Sequence, residues 1–327
     1  MVQIVNSQGS TLNQTAIDYS GRGLSPIGVG CHGVYLYDGT SGDLELLGLT
    51  GDAVVLAHAT PASGGQVTVA GAAESPDGKR WLYSVVTYSG SGEATSRLYT
   101  GEIHSTPRLV ATLSRPNYAN RLYLGGYRVL RWEPGGVLLG TRPINVGGAG
   151  PFIAEGYALS NVVWFDPAAG SVSPPITCQG HGRFGDVAPD GSEACAAAAS
   201  VVVVGPNGSV TTIANSETTV GQLAFVGGSS WLTWCATNGA TSTGPGGAGW
   251  HDTLYSANLN TAQPSGTVLE AAANQSCEHA FGLDKVVDST TIAELTGESP
   301  ATSLSLVNVS TGQVRVVGPA EEIVGVL

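Results

Sequence analysis

The stretch SPDGKRWLYSVV, residues 75–86, places a Pro-Asp-Gly turn directly ahead of a run with strand character. Pro presets φ at the first corner position, Asp bonds back to the turn backbone, and Gly accepts the positive φ that ends it. The aromatic and β-branched residues that follow are those of a strand. APDGSEACAAAA, residues 188–199, writes the same corner and a shorter apolar run more than a hundred residues later. A chain that repeats a corner at that distance is built from repeats.

Six apolar hairpins recur outward from these corners. They are VYLYDGTSGDLELL from Val34, RLYTGEIHSTPRLVATL from Arg97, VVWFDPAAGSVSPPI from Val162, VVVVGPNGSVTTIA from Val201, LYSANLNTAQPSGTVLE from Leu254 and LSLVNVSTGQVRVV from Leu304. Ahead of each lie two more strand candidates: TAIDYSG/PIGVGCHG, QVTVAGAAE/KRWLYSVVTY, YRVLRWE/GGVLLGTR, GRFGDVA/SEACAAAA, GQLAFVG/SWLTWCAT and HAFGLDKV/STTIAEL. Four-strand units at a spacing of roughly 40–65 residues predict the blades of a β-propeller. The expected fold is all-β: one propeller domain over residues 1–327, with six blades of four antiparallel strands. The PDG corners then join the innermost and second strands of blades two and four. The strand-like ends VQIVN and EEIVGVL suggest that one of them completes the ring by pairing with the other end of the chain. The competing count is seven blades, with GDAVVLAHAT from Gly51 as an extra strand.

Ser75-Pro76-Asp77-Gly78-Lys79 resembles the S-P-D-G-K corner of TolB-like and WD-repeat-like propellers, and Ala188-Pro189-Asp190-Gly191 matches it in part. The resemblance implies blade architecture and a scaffold that binds proteins or ligands. It implies no activity.

Composition agrees with short strands and tight turns. Of 327 residues 47 are Gly, which disfavours helices, while 42% are hydrophobic and fall in short runs, which disfavours disorder. A net charge of −12 excludes a nucleic-acid partner, since phosphate binding needs a basic footprint. No apolar run is long enough to span a membrane, and the N-terminal MVQIVNSQGSTLNQ lacks the pattern of a signal peptide. Secretion, periplasmic residence or surface display is therefore expected only with a leader outside this sequence. The five cysteines, Cys31, Cys178, Cys195, Cys235 and Cys277, form no Cys-x-x-Cys pair, so a structural zinc site is not expected. Up to two disulfides can form, suiting an oxidising compartment, with Cys235–Cys277 the preferred pair. Cys195 reads equally well as a small buried apolar residue.

In a propeller, inner-to-second and third-to-outer turns fall on one face, and second-to-third turns with blade links fall on the other. The first group reads as short throughout (PDG, PNG, STG). The second holds the long segments 52–65, 114–126, 142–160, 237–252 and 271–279. Long loops on one face of a repeat scaffold mark a binding face. Eight of the eleven arginines fall between Arg80 and Arg142, and Arg115, Arg121 and Arg142 lie in or beside these loops, where guanidinium groups suit an anionic ligand. Balancing of local acids by solvated arginines is the plainer explanation. Trp250, with His251 and Asp252 in a Gly-rich loop, offers an indole for stacking on a sugar or peptide, and Tyr118 and Phe152 are similar. Trp81, Trp132, Trp231 and Trp234 sit on strands and read as packing between blades. His181 and His279 each precede an innermost strand, and His58 and His251 belong to the same face. Converging imidazoles could hold a divalent metal, the one cofactor to consider, though water-bonded histidines are the simpler reading.

A nucleophile elbow, a phosphate loop and a dinucleotide fingerprint are all missing. The Ser-x-Asp-x-Gly-x-x-Trp boxes of sialidases are missing too, because in SPDGKRW the Asp and Gly are adjacent. The reading is a non-enzymatic propeller that binds a protein, peptide or glycan through its loop-rich face. The alternatives are a metal-assisted lyase or hydrolase of an acidic saccharide, with His181 and His279 holding the metal, and a structural subunit of a virion or surface assembly.

Overall fold

The computed structural model describes residues 2–5, 11–15, 24–59, 66–89, 94–103, 105–114, 125–141, 160–215, 219–237, 251–273, 286–296 and 303–319. These residues form two compact units, one ending at Pro175 and the other beginning at Ile176. Each unit carries three antiparallel blade sheets in chain order, the first with a two-stranded hairpin besides, and the fold is a six-bladed β-propeller.

The first unit opens with a separate hairpin of β1 (Val2–Val5) and β2 (Thr11–Thr15). Blade one is β3 (Leu24–Gly30), β4 (Gly33–Asp38), β5 (Asp43–Gly48) and β6 (Ala53–His58). Blade two is β7 (Gln66–Glu74), β8 (Arg80–Tyr88), β9 (Ala94–Glu102) and β10 (Arg108–Ser114). Blade three is β11 (Arg128–Glu133), β12 (Gly136–Thr141), β13 (Ser160–Asp166) and the two-residue β14 (Ser171–Val172).

In the second unit, blade four is β15 (Arg183–Val187), β16 (Glu193–Ala197), β17 (Ser200–Val204) and β18 (Val210–Ala214). Blade five is β19 (Thr219–Val226), β20 (Trp231–Thr237), β21 (His251–Asn258) and β22 (Thr267–Ala273). Blade six holds β23 (Thr291–Thr296), β24 (Ser303–Asn308) and β25 (Val314–Pro319). Val286 bridges to Ile292 where its first strand would pair.

Both PDG corners lie between the first and second strands of blades two and four, as their sequence requires. In the first, the Ser75 hydroxyl donates to Asp77, while Asp77 accepts from the Lys79 amide and Gly78 sits at φ +67°. In the second, Asp190 accepts from the Ser192 amide and Gly191 sits at φ +88°.

Blade one departs from expectation by one strand. LSPIGVG is its first strand rather than its second, because the tight turn at Cys31–His32 follows it and Gly33 takes φ +149°. VYLYDGTSGDLELL therefore joins the second and third strands. AVVLAH, read as loop or as part of a seventh blade, is the fourth, paired along β5. VQIV pairs with TLNQT instead of closing a blade; EEIVGVL lies outside the described residues.

Within the units, the first strands of blades one and two, two and three, and four and five meet. Among the described residues, the register between first and second strand slips once in each of blades one to five, at Pro26/Gly28, Val69/Ala72, Val129/Arg131, Phe184/Asp186 and Gly221/Ala224. Within each unit these bulges touch. A Cβ on Gly28 would collide with the Ala72 carbonyl, one on Gly71 with the Val129 backbone, and one on Gly185 with the Leu223 side chain. Only glycine permits that approach, and Gly71 also holds φ +102°.

The approach carries the core with it. Tyr35, Trp81, Tyr83 and Tyr99 stack in sequence across blades one and two, with centroids 6.1, 4.8 and 5.2 Å apart. Trp234 stacks on Tyr255 in blade five at 5.5 Å. Buried polar groups bond across the seams: the Ser84 hydroxyl donates to the Tyr127 carbonyl at 2.6 Å, and Asp186 accepts from the Phe225 amide at 2.7 Å. Cys195 is not a free apolar residue, since it is bonded to Cys178 across 17 positions and ties the link before blade four to that blade's second strand. Cys235 is also disulfide-bonded, and its expected partner Cys277 lies outside the described residues.

Two stability outcomes follow from this geometry. Gly208 holds φ +78° with open space around it, so Gly208→Ala costs about 1–2 kcal/mol for the left-handed backbone alone. Gly71→Ala adds an overpacking cost of about 1–3 kcal/mol, and urea midpoints of the two variants should separate accordingly. Replacing both Cys178 and Cys195 by Ala should lower unfolding stability by about 3 kcal/mol, since it opens a loop of about 17 residues in the unfolded chain.

Candidate functional site

Strand alternation sets the two ends of each blade. The ends of β10, β12 and β20, where segments 115–124, 142–159 and 238–250 depart, lie opposite the first-to-second turns of the same blades. Arg115, Tyr118, Arg121, Arg142, Phe152, Trp250 and His279 lie outside the described residues. His251 and Asp252 begin β21 and pair with Ala273 and Ala272 through the backbone. His181 is an exposed residue that ends the short turn Cys178–Gly180. Among the described residues, no group of three donor side chains able to hold a metal includes it. His58, expected in a loop, ends β6, and its Nδ1 lies 2.9 Å from Asp43.

Two constellations emerge at the opposite end, where the short turns lie. The first joins blades one and two. Glu74 ends β7 directly before the SPDG corner, with only 3% of its side chain exposed. Its Oε1 accepts from the Tyr35 hydroxyl at 2.7 Å. Its Oε2 accepts from the Cys31 thiol at 2.9 Å and lies 2.9 Å from His32 Nδ1. Cys31 Sγ and His32 Nδ1 are 3.4 Å apart. Gly78 lies so close that a Cβ there would stand 2.7 Å from the Cys31 sulfur. A cysteine beside a histidine suggests a nucleophile, which needs the thiolate. Here the thiol is held the other way: its hydrogen bond to Glu74, then burial and the Glu74 charge, push its pKa up to about 11. At neutral pH it is a hydrogen-bond donor.

The second constellation is a groove of about 360 Å³ between blades five and six. Trp231, which begins β20, forms part of it, with Val268 and Leu269 of β22 alongside. One wall is the connection Leu259–Gly266, which runs for eight residues between β21 and β22 where a short turn was expected. The facing wall is the turn after β24. There Asn308 Oδ1 accepts from the Ser310 and Thr311 hydroxyls at 2.7 and 3.1 Å, and Gly312 takes φ +73°. The Ser256 hydroxyl donates to the Val309 carbonyl at 2.9 Å and joins the two blades beneath the groove. Gln263, Ser265 and Thr267 stand exposed along it. None of the described lining residues is ionisable, in a chain of net charge −12. Trp231 packs against the core shared by blades five and six, as read from the sequence, but is half-buried and also lines the groove, whereas Trp81 and Trp234 are fully buried.

Neither constellation was picked out in the sequence. The adjacent Cys31-His32 pair and the TAQPSG insertion were visible signals, but their partners lie in other blades.

Comparison with protein-family models finds no match, and neither does comparison with curated proteins. Among solved structures the chain is similar to an uncharacterized protein of Listeria monocytogenes, with a TM-score of 0.52 and 9% identity over 95% of this chain and 86% of that one. It is similar to TolB from Acinetobacter baumannii, with a TM-score of 0.46 and 13% identity over 88% of this chain, and spans 63% of that protein's length. It is similar also to a putative TolB from Agrobacterium tumefaciens, with a TM-score of 0.41 and 12% identity over 97% of this chain and 90% of that one. At these identities the likeness is one of fold alone.

Proposed function

We propose that the protein is a non-catalytic binding propeller whose ligand is a neutral glycan held in the groove between blades five and six. The observation that carries the reading is the groove's lining: an indole beside hydroxyls and amides, with no ionisable group among its described residues. Sugars present apolar C–H faces that stack on indole and hydroxyls that exchange hydrogen bonds with neutral side chains. Glycoside hydrolysis needs a pair of carboxyl groups, and gripping an acidic saccharide needs cations. The described lining supplies neither, so the groove itself suits binding rather than hydrolysis. Ser310 and Thr311 are already fixed by Asn308, so part of the ordering cost of binding is met in advance. The Cys178–Cys195 disulfide supports residence in an oxidising compartment. No helix of the described residues is long and apolar enough to cross a membrane.

A screen on a glycan array, followed by calorimetric titration of the best neutral binder, tests this reading. Trp231→Ala should weaken binding at least tenfold, and Gln263→Ala, an exposed change with little effect on folding, should weaken it severalfold. Trp250→Ala should leave it unchanged. Loss of binding in Trp250→Ala with Trp231→Ala and Gln263→Ala unaffected would move the ligand to the loop-rich face and overturn the groove.

A further inference from the structure

We infer that Cys31 Sγ, His32 Nδ1 and Glu74 Oε2 form a binding site for a zinc-like divalent cation that clips blade one to blade two. The inference is independent of the glycan groove, which lies in the other unit of the chain.

The donor set is the first reason. One sulfur, one imidazole nitrogen and one carboxylate oxygen are the ligand types that zinc takes, whereas calcium and magnesium take oxygen alone. Geometry is the second. The three atoms lie 2.9, 2.9 and 3.4 Å from one another. Around a tetrahedral zinc, with bonds of about 2.0–2.3 Å, neighbouring ligand atoms stand about 3.4–3.6 Å apart. The trio therefore needs to open by no more than about 0.7 Å, with water taking the fourth position.

The surroundings supply the third reason. Metal sites depend on groups that orient the ligands. The buried Tyr35 hydroxyl holds the other Glu74 oxygen at 2.7 Å, so Oε2 stays aimed at the turn. Cys31 and His32 occupy a turn between Gly30 and Gly33, and the Gly78 backbone packs against the sulfur. Cys31 is the free cysteine among the described residues, and its turn is exposed. Half of the His32 side chain is likewise exposed, so an ion can enter without unfolding the blade. On binding, the Cys31 thiol gives its proton to solvent and the sulfur bonds to the metal; nothing is oxidised or reduced.

Glu74 and the Cys31–His32 turn belong to different blades, so an ion bound by all three also stabilises the seam by mass action. It would shield an exposed thiol from oxidation as well.

The test uses the full chain stripped with chelator and dialysed against metal-free buffer. Zinc titrated calorimetrically should bind at one equivalent. Saturation should slow the reaction of Cys31 with a disulfide reagent at least tenfold and raise the thermal midpoint. Cobalt(II) in place of zinc should show the ultraviolet thiolate-to-metal charge-transfer band. Cys31→Ser should abolish that band, and His32→Ala and Glu74→Gln should each weaken zinc binding tenfold or more. His32→Ala changes an exposed side chain and keeps the test valid even if Glu74→Gln loosens the seam. Less than a tenth of an equivalent of zinc bound by the wild type, or undiminished binding in both Cys31→Ser and His32→Ala, would overturn the assignment.

Discussion

Within each unit, neighbouring first strands approach at glycines that leave no room for a Cβ, and the rest of the unit is arranged around that contact. At Gly28 against Ala72, Gly71 against Val129 and Gly185 against Leu223 there is no room for a side chain. Protein interiors are packed at crystal-like density, so one methyl group at such a point must displace a strand. The bulges make the approach workable: each adds unpaired chain to the first strand and bends it toward its neighbour. Outward from these points the seams fill with larger groups, first valines and leucines and then the Tyr35–Trp81–Tyr83–Tyr99 stack.

The same contact explains why polar chemistry collects at the seams. Bringing two sheets together strands backbone groups that their own ladders do not satisfy, and a buried unpaired group costs about 1–3 kcal/mol. Ser84 and Asp186 meet that demand with bonds into the next blade. Glu74 belongs to this class by position, for it lies on the strand that carries Gly71 and faces blade one. Its partners are side chains of a turn, so a structural bond becomes a cluster of sulfur, nitrogen and oxygen donors near the surface.

Blades five and six share a buried core, and the groove lies at the edge of that seam. The Leu259–Gly266 connection forms one wall, and Ser256 bonds to Val309 beneath it, so a groove remains above the seam. Its neutrality matters more than its size. In a chain of net charge −12, a groove whose described lining residues are all neutral suits a ligand that carries no charge.

Turns were the most legible part of the sequence. SPDG, APDG and PNG each close through bonds between residues two or three apart, so their residue types suffice to identify them. Blades two to six follow from counting strands between those turns. Blade one was misframed because its first corner, Cys31-His32, carries no turn signature between its residues, and AVVLAH resembles both a loop and a spare strand. Which sheet a short apolar run joins depends on its neighbours in space. That limit governs the sites more severely. Cys31 and Glu74 are 43 positions apart, and Trp231 and Thr311 line one groove only because two blades converge there. The sequence alone determined the repeating corner, the strand content and the acidic, glycine-rich character of the chain, all of them local or additive properties. Only the tertiary structure decided which glycines touch, which cysteines join and which side chains share a site, because those depend on contacts between blades that no local pattern encodes.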